Sequence, residues 1–322
     1  MTAWTWHGGG VEAARRQFGS GDWLDLSTGI NPDSWPGVAD LAIDWQRLPE
    51  PHALAELEAA AAAHFGVDPG HVCAVPGTEL ALRLVGRSIG GSARYLAPGY
   101  RTHGEMIAGS MPIARDALDD YVGTLVLANP GNPDGRVLSP AQRRALLDRH
   151  AHAWLLLDEA FADADPALSL AGEVGDTRRL VIFRSFGKFF GLAGVRLGFV
   201  LGPDSILAPL RTALGAWPAS AAAIAIGTAA YRDRDWIAAT RVRLEAQAAA
   251  LDAVWVRAGF QPSGACPLFR LIETPHALCL FERLARHAIL TRPFAERPDW
   301  LRIGLPPNGE ALARLEAALS RG

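Results

Sequence analysis

The chain has almost no lysine. Of its 31 Lys and Arg residues, the only lysine is Lys188, and the other thirty are arginines. Arginine can replace lysine as a surface cation, but its guanidinium stays protonated in proteins and cannot act as a nucleophilic amine. Two interpretations of Lys188 follow: it was retained by chance, or the protein needs it for amine chemistry.

Cysteine is also scarce. Cys73, Cys266 and Cys279 are odd in number and widely spaced, which argues against a disulfide framework or a zinc site, and we expect no bound metal. The net charge of −3 excludes a broad cationic surface for nucleic acid. A hydrophobic content of 49% with 20% charged residues is typical of a folded globular protein.

Long apolar runs are rare. The N-terminal stretch MTAWTWHGGG lacks the apolar segment of a signal peptide, so we expect a cytoplasmic protein. The charge-free stretch Thr212–Tyr231 is long enough to span a bilayer, but it is mostly alanine and contains Gly215, Pro218 and Gly227. It therefore predicts a buried helix beginning near Pro218 rather than a membrane span.

Between residues 50 and 218, apolar segments alternate with helical patterns. Helices are predicted for Ala53–Phe65, which Gly66 follows, for Thr78–Ser88, and after the capping pair Ser139-Pro140. The predicted strands are His71–Val75, Ala93–Leu96, Thr124–Ala128, Trp154–Leu157, Leu180–Phe183 and Arg196–Leu201. Such alternation is typical of an α/β fold with a mostly parallel sheet.

The pattern changes after residue 218. Helical patterns at 219–257, 275–287 and 307–320 flank short strands near 267–272 and 300–304, which predicts a smaller α+β domain. We therefore expect three parts: an N-terminal arm of residues 1–40, a large domain of residues 41–218 and a small C-terminal domain of residues 219–322.

Lys188 ends the segment Ser185-Phe186-Gly187-Lys188, which follows a predicted buried strand. The segment is not a P-loop, because the GxxxxGK[ST] pattern is absent and Phe189 follows the lysine. A neutral lysine on such a loop suits imine formation with an aldehyde. Ser185 and Arg196 are placed to bind a phosphate beside it.

Three further motifs lie at the ends of predicted strands, where open α/β sheets bind ligands. Pro76-Gly77-Thr78-Glu79 opens a helix whose free N–H groups can receive an anion, although a plain turn also explains it. Asn132 belongs to a turn cluster and could donate to a phenolate oxygen. Asp158 ends an apolar strand, where it either caps a turn or keeps a pyridine nitrogen protonated.

In order and spacing, the series G-T-E, N-P-G-N-P-x-G, D-E-A-F and S-F-G-K…A-G-V-R-x-G resembles the pyridoxal-phosphate-dependent aminotransferase superfamily of fold type I, class I/II. The resemblance implies a three-layer α/β fold, pyridoxal 5′-phosphate as cofactor and a homodimer. It makes Lys188 the Schiff-base lysine, pairs Asp158 with the pyridine nitrogen and places Asn132 at the phenolate oxygen. The implied phosphate ligands are Gly77, Thr78, Glu79, Ser185 and Arg196.

The chain departs from this superfamily at three places. His103 of the segment Pro98–His103 stands where a tyrosine often stacks on the cofactor ring, so we expect its imidazole there. Leu48-Pro49 replaces a Tyr-Pro pair that reaches the partner subunit's cofactor phosphate. Gly187 stands where Ser or Thr commonly adds a phosphate contact.

The N-terminal arm narrows the resemblance. His7-Gly8-Gly9 followed by L-D-L-S-T-G-I-N-P resembles the threonine-phosphate decarboxylases of cobalamin biosynthesis, which are relatives of histidinol-phosphate aminotransferases. Phe161, where many aminotransferases have tyrosine, points the same way. The segment Leu301–Gly304 resembles the strand whose arginine binds the substrate carboxylate. The substrate ligands implied or expected here are His7, Gly8, Asn31, Arg292 and Arg302.

Three functions remain open at this point. The first is decarboxylation of L-threonine O-3-phosphate to (R)-1-aminopropan-2-yl phosphate. The second is an aminotransferase that acts on histidinol phosphate or a similar phosphorylated amine with the same cofactor residues. The third is a degenerate cofactor fold used for binding, which the presence of both Lys188 and Asp158 disfavours. In each enzymatic case the partner is a small phosphorylated molecule, not nucleic acid or a membrane.

Overall fold

The computed structural model describes Trp4 and residues 7–320. The remaining ends of the predicted arm and small domain, residues 1–3, 5, 6, 321 and 322, lie outside the described residues. The chain divides into two compact units. The larger unit consists of Ser34–Asn132 and Val137–Ala239, and the smaller unit consists of the chain up to Asp33, Pro133–Arg136 and the chain from Thr240 onward.

The elements follow the predicted order closely. The strands are β1 (Leu24–Asp25), β2 (Val72–Val75), β3 (Ala93–Leu96), β4 (Met111–Ile113), β5 (Thr124–Ala128), β6 (Leu155–Asp158), β7 (Leu180–Ser185), β8 (Gly198–Leu201), β9 (Pro262–Ser263), β10 (Phe269–Glu273), β11 (Ile289–Leu290), β12 (Arg292–Pro293) and β13 (Trp300–Gly304). The α-helices are α1 (Val11–Phe18), α2 (Pro51–Phe65), α3 (Thr78–Ile89), α4 (Arg101–Glu105), α5 (Pro140–Arg149), α6 (Phe186–Phe189), α7 (Asp204–Leu214), α8 (Ala221–Arg232), α9 (Arg234–Arg257), α10 (Ala277–Arg286) and α11 (Gly309–Ser320).

The larger unit is built on a sheet of order β2-β8-β7-β6-β5-β3-β4. Only β8 runs antiparallel to its neighbours, β2 and β7, and the other pairs are parallel. This confirms the predicted α/β fold with a mostly parallel sheet. Because β2 and β7 both oppose β8, they share one direction, and the carboxyl ends of β2, β5, β6 and β7 lie at the same edge.

Helices cover both faces of this sheet, as the three-layer prediction requires. On one face, strand residues such as Val126 and Phe183 form an apolar core with side chains of α3 and α7. On the other face, Phe199 of β8 contacts Phe65 of α2 and Tyr231 of α8, with ring centroids 5.7 Å and 5.5 Å apart. The core therefore holds the sheet rigidly behind the edge where its strands end.

The larger unit extends beyond the predicted boundary at residue 218. It continues to Ala239 because α8 packs along α2. Gly227 allows this close approach, since a Cβ there would lie 2.7 Å from Leu57 Cδ1. The helical pattern predicted for 219–257 is two helices, because Asp233 interrupts it and caps the second one by accepting the Trp236 N–H at 3.1 Å.

The smaller unit is α+β, as predicted. Its antiparallel sheet has the order β12-β13-β10-β9, and β1 pairs in parallel with β11. β10 and β13 pair along their whole lengths, with Phe269 opposite Gly304 at one end and Glu273 opposite Trp300 at the other. Within the described part of the chain, no helix combines the length and apolar character needed to cross a bilayer.

Candidate active site

Eight of the nine predicted cofactor ligands line one pocket in the larger unit. The pocket has a volume of about 140 Å³ and lies at the edge where β2, β5, β6 and β7 end. The eight residues are Gly77, Thr78, Glu79, Asn132, Asp158, Ser185, Lys188 and Arg196. Segments far apart in sequence thus meet where parallel sheets bind ligands.

One end of the pocket is suited to an anion. Gly77 precedes α3 with a φ of 86°, which glycine adopts without strain. A Cβ at this position would lie 2.5 Å from Arg196 Nη2, so the missing side chain makes room for the guanidinium. Together with Ser185 and the free N–H groups at the start of α3, Arg196 forms a cradle for phosphate.

The carboxylate of Glu79 is fully engaged within the protein. It accepts hydrogen bonds from the Tyr100 hydroxyl at 2.8 Å, from the Thr102 hydroxyl at 2.8 Å and from Arg83 Nε at 2.9 Å. Burial alone would raise the pKa of Glu79, but these hydrogen bonds outweigh it and lower the pKa below its usual value. A carboxylate in this state repels phosphate, so the contribution of Glu79 to the cradle is its backbone N–H.

Asp158 presents a fixed carboxylate to the pocket. Its Oδ1 accepts the Ala160 N–H at 3.0 Å, and its Oδ2 lies 3.0 Å from His103 Nε2. The residue is only 8% exposed. A carboxylate held from two sides can keep an adjacent pyridine nitrogen protonated without rotating away from it.

His103 occupies a different place from the one predicted. It is completely buried and supports Asp158 instead of lining the pocket, whereas Tyr100 lines the wall. The two rings meet edge to face, with centroids 5.6 Å apart. Tyr100 immediately precedes α4 and His103 lies within it, three residues later, and only Tyr100 lines the pocket. The Pro-x-Tyr spacing of Pro98 and Tyr100 is the sequence signal that could have identified Tyr100 as the pocket residue.

Lys188 lies on α6, the single turn that follows β7. It lines the pocket, and its Nζ is 5.9 Å from the centroid of the Phe161 ring. Gly187 beside it packs against the backbone, because a Cβ there would lie 2.5 Å from Ala193 Cα. That contact excludes the Ser or Thr that commonly provides a phosphate ligand at this position.

Asn132 stands on the pocket wall just beyond β5. The preceding loop is held by Asn129, whose Oδ1 accepts the Leu138 N–H at 2.9 Å and whose Nδ2 donates to the Leu168 carbonyl at 3.1 Å. Of the two asparagines in the turn cluster, Asn129 holds the loop and Asn132, the one predicted to bind the phenolate oxygen, lines the pocket.

The smaller unit carries a pair of arginines on neighbouring strands. Arg292 of β12 lies directly opposite Arg302 of β13 in the antiparallel register. Arg302 is buried, and its Nη2 donates to the Ser27 carbonyl at 2.9 Å. Burial, and then the charge of Arg292, lower the pKa of Arg302 well below its ordinary value. Like charges in cross-strand register are unfavourable, so this pair is suited to an anion.

The other predicted substrate ligands also belong to the smaller unit. Asn31 is buried, and its Oδ1 accepts the Asp33 N–H at 3.1 Å. Gly8 packs on the chain near β1, since a Cβ there would lie 2.5 Å from the Ser27 carbonyl oxygen. His7 is exposed.

The pocket fits pyridoxal 5′-phosphate group by group. The cradle that a Cβ at Gly77 would fill matches the phosphate, Asp158 matches the pyridine nitrogen, Asn132 matches the phenolate oxygen, and Lys188 provides the amine for the aldehyde. Among the described residues, no group of three or more His, Cys, Asp or Glu side chains could hold a metal ion.

Comparisons with known proteins identify the family of the chain. A family model described as aminotransferase class I and II matches residues 21–319. A threonine-phosphate decarboxylase from a Sinorhizobium species is 40% identical over all of this chain and 99% of its own length. Another, from Pseudomonas aeruginosa, is 39% identical over 97% of this chain and 96% of its own length.

Solved structures give the same fold. The crystal structure of histidinol-phosphate aminotransferase from Sinorhizobium meliloti in complex with pyridoxal-5′-phosphate superposes with a TM-score of 0.82 at 23% identity. The superposition covers 97% of this chain and 93% of that one. With a family model matching nearly its whole length, the chain belongs to the aminotransferase class I and II family.

Proposed function

We propose that this chain is a pyridoxal-phosphate-dependent decarboxylase that converts L-threonine O-3-phosphate to (R)-1-aminopropan-2-yl phosphate and CO2. The observation that carries the proposal is the pocket that joins the only lysine of the chain to a phosphate cradle and a fixed carboxylate. Similarity over essentially the full length to two proteins named threonine-phosphate decarboxylase supports the substrate and the reaction. A place in cobalamin biosynthesis and in the cytoplasm belongs to the same proposal.

In the proposed site, the larger unit holds the cofactor. When bound, pyridoxal 5′-phosphate supplies an electron sink for the pair left on the substrate Cα. Asp158 keeps the ring nitrogen protonated, Asn132 donates to the phenolate oxygen, and Lys188 holds the cofactor covalently until substrate arrives. The phosphate is held by Arg196, Ser185 and the backbone of Gly77, Thr78 and Glu79.

In the same proposal, the smaller unit provides the substrate ligands. Decarboxylation requires the Cα–carboxylate bond, rather than the Cα–H bond, to stand perpendicular to the cofactor ring. Two anionic anchors, the substrate phosphate and carboxylate, can fix this rotation, and we assign them to Arg292 and Arg302. Further ligands are His7, Gly8 and Asn31. One proton would be taken up at Cα for each CO2 released, and the amine of Lys188 would be the group that holds the cofactor again once the product has left.

The direct experiment is to incubate the purified protein with O-phospho-L-threonine, pyridoxal 5′-phosphate and 2-oxoglutarate. We expect CO2 and (R)-1-aminopropan-2-yl phosphate, with 2-oxoglutarate unchanged. Amino transfer to 2-oxoglutarate without CO2 would replace the proposal by the aminotransferase alternative. Neither product, with the cofactor bound, would contradict the proposed substrate and reaction.

We also propose a homodimer. The larger unit exposes apolar side chains close together in sequence, with Trp45 77% and Leu48 62% exposed, and Trp217 is 57% exposed. Large exposed side chains of this kind favour a protein–protein interface. Light scattering should give twice the chain mass of 34.4 kDa, and a monomer at micromolar concentration would contradict this.

A further inference from the structure

Two buried charged residues adjoin the pocket without lining it. Arg184 precedes Ser185 on β7, and Glu159 follows Asp158 at the end of β6. Arg184 is 2% exposed and Glu159 is 0% exposed. Buried charges are costly unless they are paired, so their position beside two pocket residues calls for a physical role.

The guanidinium of Arg184 bridges two carboxylates. Its Nη1 donates to Glu159 Oε2 at 2.9 Å, and its Nη2 donates to Asp163 Oδ1 at 2.5 Å. Glu159 also accepts the Ser169 hydroxyl at 2.5 Å and the Leu170 N–H at 2.8 Å. The two terminal nitrogens of the guanidinium are therefore held by carboxylates on two sides, which fixes its orientation.

A neighbouring helix encloses this cluster. The Arg184 guanidinium lies 4.6 Å from the centroid of the Phe65 ring of α2, and His64 Nε2 lies 2.9 Å from Asp163 Oδ1. Burial acts to raise the pKa of Asp163, but the charge of Arg184 outweighs it and holds the pKa below its usual range. Asp163 and Arg184 are therefore a charged pair at neutral pH.

The cluster lies where the sheet stops connecting the two strands. The ladder between β6 and β7 ends with the pair Asp158–Phe183, and the last backbone bond runs from the Glu159 N–H to the Phe183 carbonyl at 2.9 Å. Beyond this point β7 continues to Ser185 beside β8 only. The side-chain bonds of Arg184 thus take over the connection that the backbone no longer makes.

We propose that Arg184 is a positioning residue, which ties the end of β6 to the end of β7 and so sets the Asp158 carboxylate relative to Ser185 and Lys188. The inference rests on the proposed cofactor but not on the choice of substrate. Displacements of about 1 Å at a reacting centre can cost about 100-fold in rate. Loss of the Arg184 bridge should change kcat more than KM, because the proposed substrate anchors belong to the smaller unit.

The test compares the holoenzyme with Arg184→Met and Arg184→Lys. For each variant, the pH titration of the absorbance of bound cofactor is recorded without substrate, together with kcat per bound cofactor, KM and thermal stability. We expect Arg184→Met to shift the titration midpoint and to lower kcat by about 10- to 100-fold, with little change in KM. Arg184→Lys keeps the charge but cannot bridge both carboxylates, so its effects should be intermediate.

The matched control is Arg211→Met, in the same unit. Arg211 Nη1 donates to Glu58 Oε1 at 2.9 Å, and Arg211 also bonds the carbonyl of Val72, at the opposite end of β2 from the pocket. This variant should lower thermal stability without changing the titration or kcat. If Arg184→Met fails to fold, Glu159→Gln takes its place, because it removes one carboxylate of the bridge with little change in shape. For Glu159→Gln we expect the same shift of the titration midpoint and the same decrease in kcat.

The proposal is overturned if Arg184→Met, or Glu159→Gln in its place, loses stability but titrates and turns over like the wild type per bound cofactor. That result would make the cluster purely structural. A wild-type protein that binds no pyridoxal 5′-phosphate would contradict the proposed function itself, and this inference with it. If the wild type binds the cofactor but releases no CO2, the proposed reaction is wrong. The inference about Arg184 is then tested by the cofactor titration alone.

Discussion

Gly77 and Arg196, at the end of the pocket suited to an anion, both have a positive φ, and the Arg196 side chain lies against Gly77. Arg196 has a φ of 57°, a left-handed conformation that costs a non-glycine residue about 1 kcal/mol. Its guanidinium fills the space that a side chain at Gly77 would take, with Nη2 only 2.5 Å from the ideal Cβ position. Local strain of this kind persists where the surroundings hold it, and here it keeps a cation at the start of α3.

Gly77→Ala should weaken cofactor binding specifically. The new Cβ forces Arg196 away from the cradle, so we expect the dissociation constant of pyridoxal 5′-phosphate to rise by about tenfold or more. The matched control is Gly90→Ala at the other end of α3, where φ is 57° and no atom lies within 4 Å of the ideal Cβ. Both variants should lose about 1 kcal/mol of stability from the positive φ, but only Gly77→Ala should change the affinity. If Gly77→Ala and Gly90→Ala bind pyridoxal 5′-phosphate with equal affinity, the proposed phosphate cradle is wrong.

Lys188 is the most consequential single residue, since the chain offers no other amine of its kind. We expect Lys188→Ala to lose the cofactor absorbance near ~420 nm and all decarboxylation. Lys188→Arg should be equally inactive, because it keeps the positive charge but no nucleophile. Borohydride reduction of the wild type, followed by peptide mass spectrometry, should find the cofactor on one side chain only. Activity retained in Lys188→Arg would show that the residue acts through its charge.

At the scale of elements, the start of α3 is secured by its neighbour α4. Glu79 in the first turn of α3 accepts hydrogen bonds from Tyr100, which precedes α4, and from Thr102 within it. Burial raises the pKa of Tyr100, and Glu79 raises it further, so the phenol stays a donor at neutral pH. The start of α3 and the part of the pocket wall that Tyr100 forms are therefore fixed by one carboxylate.

Glu79→Gln should destabilise the protein in a pH-dependent way. The pKa of Glu79 is lower in the folded chain than its ordinary value of 4.5, so its contribution is complete above pH 4.5 and is lost as the pH falls through the folded value. We expect a loss of about 1 kcal/mol at pH 7, reduced by the partial exposure of the side chain, and a smaller loss near pH 4. Urea unfolding at both pH values measures this. If the difference in free energy of unfolding between the wild type and Glu79→Gln is the same at both pH values, the charge of the carboxylate does not contribute to stability.

Much of this architecture could be predicted from sequence, because apolar runs ending in polar residues identify parallel strands. β3, β5 and β13 begin and end as predicted. The reversed direction of β8 was not predictable, since an apolar run gives no sign of orientation. The spacing of Pro98 and Tyr100 could have identified Tyr100 as the pocket residue, but the bond from His103 to Asp158 is visible only in the structure. Arg184 lies just past the predicted strand Leu180–Phe183, and its bonds to two carboxylates distant in sequence could not be predicted from the sequence.

On the scale of the whole molecule, the residues of the proposed site come from both units. The larger unit carries the pocket that fits the cofactor, and the smaller unit carries the opposed Arg292 and Arg302. The sequence predicts a change of pattern at residue 218, whereas the larger unit continues to Ala239 and includes α8. A decarboxylase and an aminotransferase could both use this division, so their difference must be measured as a reaction.

That measurement is turnover without an amino acceptor. The protein is loaded with pyridoxal 5′-phosphate and freed of any 2-oxo acid, then mixed with a hundredfold excess of O-phospho-L-threonine, and its products are followed by ³¹P NMR. A decarboxylase regenerates its cofactor in every cycle, so we expect complete conversion to 1-aminopropan-2-yl phosphate. An aminotransferase would stop after one equivalent and leave the cofactor as its amine, and that result would contradict the proposed decarboxylation.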